Sequence, residues 1–451
     1  MKQTSYHPTP AWQILTATLI RMAWRNLWRN RKRTLITLSS IAIGFALAVL
    51  FIGMGDGSHN SMIRNAIQLG EGHITIQPKN YQAAPSNHLF LADGKRLEQT
   101  IKTLHIPGKV MPRITIQTLA STANNAVGAG LLGIETDSKT ALDPMEEKLK
   151  PTLVSGGWLK PNDNRGVVIG SGMARKLKAK VGNKIVLMAG KKGGDSQAYL
   201  AKVRGIFNAP LDEMNDFFIV SHLSFARQFL LGEGGKASLE PVTRFAIFLN
   251  NSDTQDDWKQ QLKIAVNKAF PVGSKTDTKT GEDTATPVVL DWQEMMPQLI
   301  QFIALDNAGN YVFLVFILIM VVFGILNTVL MSVLERTREF GLLRALGMNR
   351  RHLLFLVLFE SLLLSFLAII VGWFLGGLTQ LWFSHHGIDF SAFMEGGTSL
   401  MGTMMDPIIY TELSWDRVKQ LTIIVFVTTL ITGIYPAVKA AKVTPIEALR
   451  T

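Results

Sequence analysis

Four long apolar runs, with one polar excursion of about 250 residues between the first two, make this chain an α-helical membrane protein of four transmembrane helices with a large α+β extracytoplasmic domain. The runs occupy residues 34–55, 306–334, 352–378 and 419–438. The clearest, YVFLVFILIMVVFGILNTVLMSVL at 311–334, has 24 residues without a charge. At about 1.5 Å per residue it covers a hydrocarbon layer of ~30 Å. Charge placement is the second observation. The 451 residues carry net charge +12; residues 1–33 hold seven Lys or Arg and no acid, 335–351 net +3, and 439–451 net +2. Those pieces account for the whole excess, so the positive-inside rule puts both termini and the 335–351 turn in the cytoplasm. Residues 56–305 then lie outside, in the periplasm of a cell with two membranes, and so does the acidic loop 379–418.

The same placement disposes of a nucleic-acid role, which a pI of 9.7 would otherwise invite. The basic residues sit beside apolar runs, and no RNA- or DNA-binding motif accompanies them. The absence of cysteine excludes disulfides and thiolate metal sites, so the outer domain depends on its own core.

Taken in order, residues 1–33 form an amphipathic interfacial helix. Arg21, Arg25 and Arg29 recur four apart, beside Trp24 and Trp28, a pattern suited to anionic lipid and the headgroup boundary. A signal peptide is the competing reading, but the basic stretch is long and no small-residue cleavage site follows cleanly, which favours an uncleaved anchor. In the first span Ser40, Gly44 and Ala48 have small-xxx-small spacing, which admits a neighbouring helix closely.

The excursion 56–305 contains no run long enough to span. Residues 73–77 alternate at period two before Pro78, as a strand does. Residues 166–170, 171–180 and 185–187 read strand, helix, strand, with Ser171 as N-cap and Gly182 beyond the helix end. Strands are expected at 203–207, 217–220 and 245–249, helices at 224–231 and 258–269, and loops at 191–196 and 272–286. Its histidines are scattered, and neither HExxH nor GxSxG occurs, so no catalytic or metal site is read here. The pair His385–His386 lacks a third ligand. The nearest string to GxxxxGK(S/T), at 232–237, lacks both the spacing and the hydroxyl, so the chain is expected to be no ATPase by itself.

Between the second and third spans, residues 335–351 mix charges and large apolar residues at helical spacing. This is a short amphipathic helix whose apolar set, Phe340, Leu343 and Leu346, is expected to dock on something outside the membrane. In the third span, Glu360 must be paired, hydrated or protonated. Arg344 and Arg351 are the partners considered, with snorkelling as the alternative. Gly372 and Gly376 are spaced for close packing on the first or second span. After the fourth span, Thr444 and Pro445 open a short helix. Four spans enclose no channel, so two subunits are expected to pair.

NTVLMSVLERTREFGLLRALGMNRRHLLFLVLFESLLL resembles the permease signature of the MacB/FtsX-type ABC transporters, including the lipoprotein-releasing permeases of the LolC/LolE kind. YPAVKAAKVTPIEALR and MAWRNLWRNRKRTLITL are similar to its other conserved ends, and GVVIGSGMARKLKAKVGNKIVL with AKVRGIF resembles the MacB-like periplasmic core domain. The resemblance implies a porter-like part with an inserted subdomain at roughly 125–220. It also implies that Glu335, Arg336, Arg338, Glu339, Phe340, Gly341, Leu343, Arg344, Leu346 and Gly347 form a coupling helix seated on a separate ABC ATPase dimer, which would bind the ATP and magnesium; this chain would hold no cofactor. Full-length MacB carries its nucleotide-binding domain ahead of the first span, where this chain has about 33 residues. Further implied partners are a second permease subunit, identical or paralogous, and a periplasmic adaptor, lipoprotein carrier or cell-wall hydrolase, according to whether the system releases lipoproteins, exports or signals.

Overall fold

The structure is a computed structural model that describes residues 11–29, 31–136, 142–161, 163–190, 196–209, 212–231, 240–271, 285–390, 392, 399–400, 403–404 and 408–443. Residues 191–195 of the expected loop 191–196, residues 272–284 of the expected loop 272–286, the string at 232–237 and the helix opening at Thr444 lie outside them. The chain divides into two compact units. One comprises residues 1–60, 304–389 and 408–451, the other 61–303 and 390–407.

The first unit is a helical bundle. Helix α1 (Ala11–Arg29) buries Leu19, Ala23 and Leu27, spaced by four, and leaves Trp24 and Trp28 exposed in an edge-to-face pair 5.9 Å apart. Helix α2 (Arg31–Ala66) begins the membrane-crossing set. Four described helices are long and apolar enough to cross a membrane. Three run past the apolar stretches that identify them, because polar residues continue the helical hydrogen bonding beyond the point where hydropathy falls. The 36 residues of α2 measure about 54 Å along the axis, well beyond a ~30 Å hydrocarbon layer.

Small residues set the bundle's spacing. A β-carbon on Gly44 would stand 2.9 Å from Val321 on the second span, one on Gly372 2.6 Å from Phe45, and one on Gly376 3.2 Å from the Ala46 backbone of α2. The third span's glycines therefore face the first span, and Gly44 faces the second.

In the second unit, a five-residue π-helical segment, Ile67–Glu71, ends α2 and leads into the buried strand β1 (Ile74–Pro78). There follow α3 (Gly94–Thr103), capped by Asp93, and β2 (Gly108–Ser121), β3 (Ala126–Ile134), α4 (Pro144–Leu149), β4 (Leu153–Gly156), β5 (Gly166–Gly170) and α5 (Ser171–Leu177). Next come β6 (Lys184–Gly190), β7 (Ser196–Phe207), α6 (Asp212–Phe217), β8 (Phe218–His222), α7 (Leu223–Leu231), β9 (Arg244–Leu249), α8 (Gln255–Ala269), β10 (Pro287–Asp291) and α9 (Trp292–Met295). Ser171 is not the cap of α5. Gly170 holds that position, and the Ser171 hydroxyl donates to Asn208 Oδ1 at 2.7 Å.

Strand β2 serves two sheets. Its residues 108–113 pair with β9, in the order β10-β1-β9-β2, while 114–121 pair with β3 and β6. From there the pairing runs β2-β3-β8-β5-β7-β6 and returns to β2, a closed ring with Ile116, Leu131, Val203, Ile219 and Leu187 in its core. Closure leaves those strands without a free edge. The ring covers the stretch expected as an inserted subdomain, but it also uses part of β2, upstream of residue 125.

Helix α10 (Pro297–Glu335) starts the return to the bundle, followed by α11 (Thr337–Ala345), α12 (Arg350–His386) and α13 (Trp415–Ala441).

Candidate coupling site

Between α10 and α12 the chain reverses through one short helix. Arg336 sits in the break, and α11 ends where Gly347 takes φ +98°, a conformation that only glycine adopts cheaply. There Gly347 N–H donates to Arg344 O at 3.1 Å and Met348 N–H to Leu343 O at 3.0 Å, a Schellman arrangement. Leu343 and Met348 pack on the same cluster beneath it.

The apolar set of α11 divides. Phe340 is 1% exposed, buried with Leu19, Ala23, Val333, Leu353 and Val357 of this same bundle, which corrects the expectation that it docks on a partner. Leu343 is half-buried beside it, and Gly341 is buried. Leu346, at 77%, and Leu342, at 53%, face outward with Arg338. The available face of α11 is thus Arg338, Leu342, Leu346 and the helix-ending Gly347. Glu335, the last residue of α10, is also exposed.

Beneath that face lies a chain of alternating charge. Arg29 on α1 bonds Glu339 at 2.6 Å, Glu339 bonds Arg336 Nε at 3.2 Å, and Arg336 Nη1 reaches Glu360 Oε2 on α12 at 3.1 Å. Arg336 also lies over the Phe340 ring, 5.1 Å from its centroid. Partial burial raises the Glu339 carboxyl's pKa, but hydrogen bonds and charge from Arg29 and Arg336 outweigh this and hold it below its ordinary value.

Glu360 is therefore paired, but with neither residue considered for it. Arg344 instead donates to the Val443 carbonyl at 2.5 Å, joining α11 to the segment after α13, and Arg351 is exposed. Nothing in the spacing of Arg336 and Glu360 foretells their contact, because it depends on the antiparallel return of α12. The sequence spacing groups Arg29 with Arg21 and Arg25 as a lipid anchor. Those two remain on the exposed face, while Arg29 is drawn into the network. Arg29, Arg336, Glu360, Asn26, Ser332 and Ser361 help line a cavity of about 40 Å³, room for one or two waters.

A second network, which hydropathy reading missed, joins the opposite ends of the helices. Arg417 on α13 bonds Asp56 on α2 at 3.3 Å, and Asn307 and the Tyr311 hydroxyl on α10 at 3.1 and 2.8 Å. His59 meets Asp306 at 2.8 Å and Asn60 donates to Glu412 at 2.6 Å. The sequence Gly53-Met54-Gly55-Asp56-Gly57 makes room: β-carbons there would strike Gln380, Asn310 and the Tyr410 backbone respectively. Three glycines at alternate positions of one helix were the legible signal.

Among the described residues no three His, Asp or Glu side chains stand close enough to hold a metal. His386 stacks on Trp382 at 4.2 Å, and His385 Nδ1 lies 2.9 Å from the Leu381 carbonyl.

Comparison with known proteins agrees with this architecture. Residues 34–265 match the model of the MacB-like periplasmic core domain, and residues 311–445 that of the FtsX-like permease C-terminal region. An uncharacterized ABC transporter permease of Methanocaldococcus jannaschii is 25% identical over 96% of this chain and 97% of its own length. The lipoprotein-releasing system transmembrane protein LolE of Haemophilus influenzae is 21% identical over 95% of this chain and 98% of its own. The macrolide export ATP-binding/permease protein MacB of Pasteurella multocida is 22% identical, and the match covers all of this chain but 64% of MacB. Among solved structures, the periplasmic region of MacB from Actinobacillus actinomycetemcomitans aligns over 53% of this chain at 15% identity, with a TM-score of 0.34.

Proposed function

The chain belongs to the MacB/FtsX-type permeases of ABC transporters, and from that premise we propose that it works by mechanotransmission, converting the closure of a separate ATPase dimer into movement of the outer domain. The observation that carries this reading is α11. It is a short helix hung between two spans, with Leu342, Leu346 and Arg338 outward and its root joined to α1 and α12 through Glu339, Arg336 and Glu360. A push on the outward face is delivered to α1 and α12 at once through that charge chain. The rigid Schellman end keeps the push from dissipating in the loop.

In this reading both termini and α11 face the cytoplasm, ATP and magnesium belong to the partner, and two permease subunits, identical or paralogous, flank the ATPase pair. The cargo is a lipoprotein or other hydrophobic molecule taken up outside the membrane and passed to a periplasmic carrier. The full-length similarity to LolE supports this cargo class. Export with a periplasmic adaptor is the second reading, favoured by the match of residues 34–265 to the MacB-like domain; signalling to a cell-wall hydrolase is the third.

The test uses Arg338→Glu and Leu346→Asp, whose side chains are exposed, in the complex reconstituted in proteoliposomes. Membrane insertion and thermal stability stay as in the parent, while substrate-stimulated ATPase activity and cargo release fall at least tenfold. Parental stimulation and release in both variants would overturn the proposal.

A further inference from the structure

The outer unit contains a cleft that the coupling reading does not use. It has a volume of about 490 Å³, within the range of small-molecule sites. Six places in the chain contribute walls: Arg64 near the end of α2, Ile67 in the π-helical segment, His73 just before β1, Lys109 in β2, Lys148 in α4, and Phe248 in β9. Arg64, Lys109 and Lys148 carry positive charge, Glu147 is the carboxylate among the described lining residues, and Ile67, Phe248 and Leu249 form a buried apolar floor. His73 Nδ1 accepts the Leu249 N–H at 3.1 Å, so its proton resides on Nε2, and burial lowers its pKa and keeps the ring neutral.

A buried ion pair braces the walls. Arg113, 1% exposed, bonds Asp143 at 2.7 Å and also donates to the Gly70 carbonyl of the π-helical segment, with its guanidinium 5.4 Å from the Phe248 ring centroid. Asp143 also caps α4 through Met145 N–H at 2.8 Å. One arginine and one aspartate thus hold the π-helical segment, β2, β9 and α4 in fixed relation. Both charges are removed from water, which is unfavourable unless they are paired and hydrogen-bonded as here, so losing either partner would loosen the walls. π-helical turns, moreover, concentrate at functional sites.

We propose that this cleft binds the anionic head of an amphiphile, a phosphate or carboxylate on an apolar chain. The head lies among Lys109, Lys148 and Arg64, and the first carbons of the chain lie over Ile67 and Phe248. Three cations favour an anion, and the apolar floor selects an amphiphile over a bare ion. The site is independent of whether the chain transports or signals.

The test is calorimetric titration of the full chain in phosphatidylcholine nanodiscs with dodecyl phosphate, inorganic phosphate and dodecyl maltoside, empty nanodiscs being subtracted. Protection of Lys109 and Lys148 from acetylation is read by mass spectrometry in parallel. Dodecyl phosphate binds saturably and slows acetylation of both lysines at least fivefold, with Lys184 unaffected. The other two probes bind at least tenfold more weakly. Lys109→Gln/Lys148→Gln weakens dodecyl phosphate at least tenfold, and Lys109→Arg/Lys148→Arg restores it. Equal binding of inorganic phosphate, equal binding of dodecyl maltoside, absence of protection, or indifference to the glutamine pair would each overturn the proposal.

Discussion

Replacing Glu360 with alanine removes the closest carboxylate from Arg336, whose side chain is 8% exposed, and leaves Glu339 as its remaining ionic partner at 3.2 Å. At 3.1 Å, with an effective permittivity near 20, the Arg336–Glu360 attraction is about 5 kcal/mol before desolvation is charged against it. Breaking one side of a well-buried pair costs about 3–5 kcal/mol. Because the Glu360 side chain keeps 19% exposure, the expected loss is smaller, about 2–4 kcal/mol. Arg336→Met costs a similar amount, since it takes from Glu360 its guanidinium partner and also removes the guanidinium from Phe340. The Arg336→Met/Glu360→Ala double variant removes both charges of the pair together and loses less than the sum, with a coupling energy of about 1–3 kcal/mol. Urea unfolding of the purified chain in detergent micelles, followed by tryptophan fluorescence, measures all three variants. Additive losses, with coupling below about 0.5 kcal/mol, would refute the claim that this pair ties the root of α11 to α12.

Three further outcomes follow from other contacts. Arg417→Met, which breaks the bonds to Asp56, Asn307 and Tyr311, lowers bundle stability by about 2–3 kcal/mol in the same assay, and Asp56→Asn lowers it by about half as much. Gly372→Val forces a branched chain onto Phe45 and costs about 2–3 kcal/mol, part of which Phe45→Leu recovers; a neutral Gly372→Val would mean the helices stand further apart than described. Burial lowers the pKa of His73, so between its folded value and the unfolded value near 6.5 the unfolded chain binds the extra proton. Stability is therefore fully present above about pH 6.5 and declines as pH falls through that window. His73→Gln flattens this part of the profile, as thermal melts between pH 7.5 and 5 will record.

The spans were legible because each exceeds the hydrocarbon thickness in residues of one kind, and α11 because charge and bulk alternate there with helical period. Helix extensions such as 56–66 were not, because Asp56, Asn60 and Arg64 interrupt any apolar pattern while hydrogen bonding continues through them. Strands β2 and β3 were overlooked for local reasons. Pro112 interrupts one, and Gly128, Gly130 and Gly133 dilute the other, although the last two leave room for Phe217 and Ala226 to pack closely. Within the coupling site the composition of α11 was readable, but its orientation was not. Which of Phe340 and Leu346 turns inward depends on where α1 and α12 meet it, and sequence spacing carries no such information. Arg417 and Asp56 are likewise distant in the chain, and only the folded bundle brings them together.

Because β2 donates its first half to one sheet and its second half to the closed ring, neither layer of the outer unit can be peeled away while the other persists. Amides at Val110 and Ile116, one on each side of that division, should exchange with deuterium through one shared opening event and at a common rate. Truncating the ring to isolate a smaller fragment would cut the four-stranded sheet along the strand that completes it.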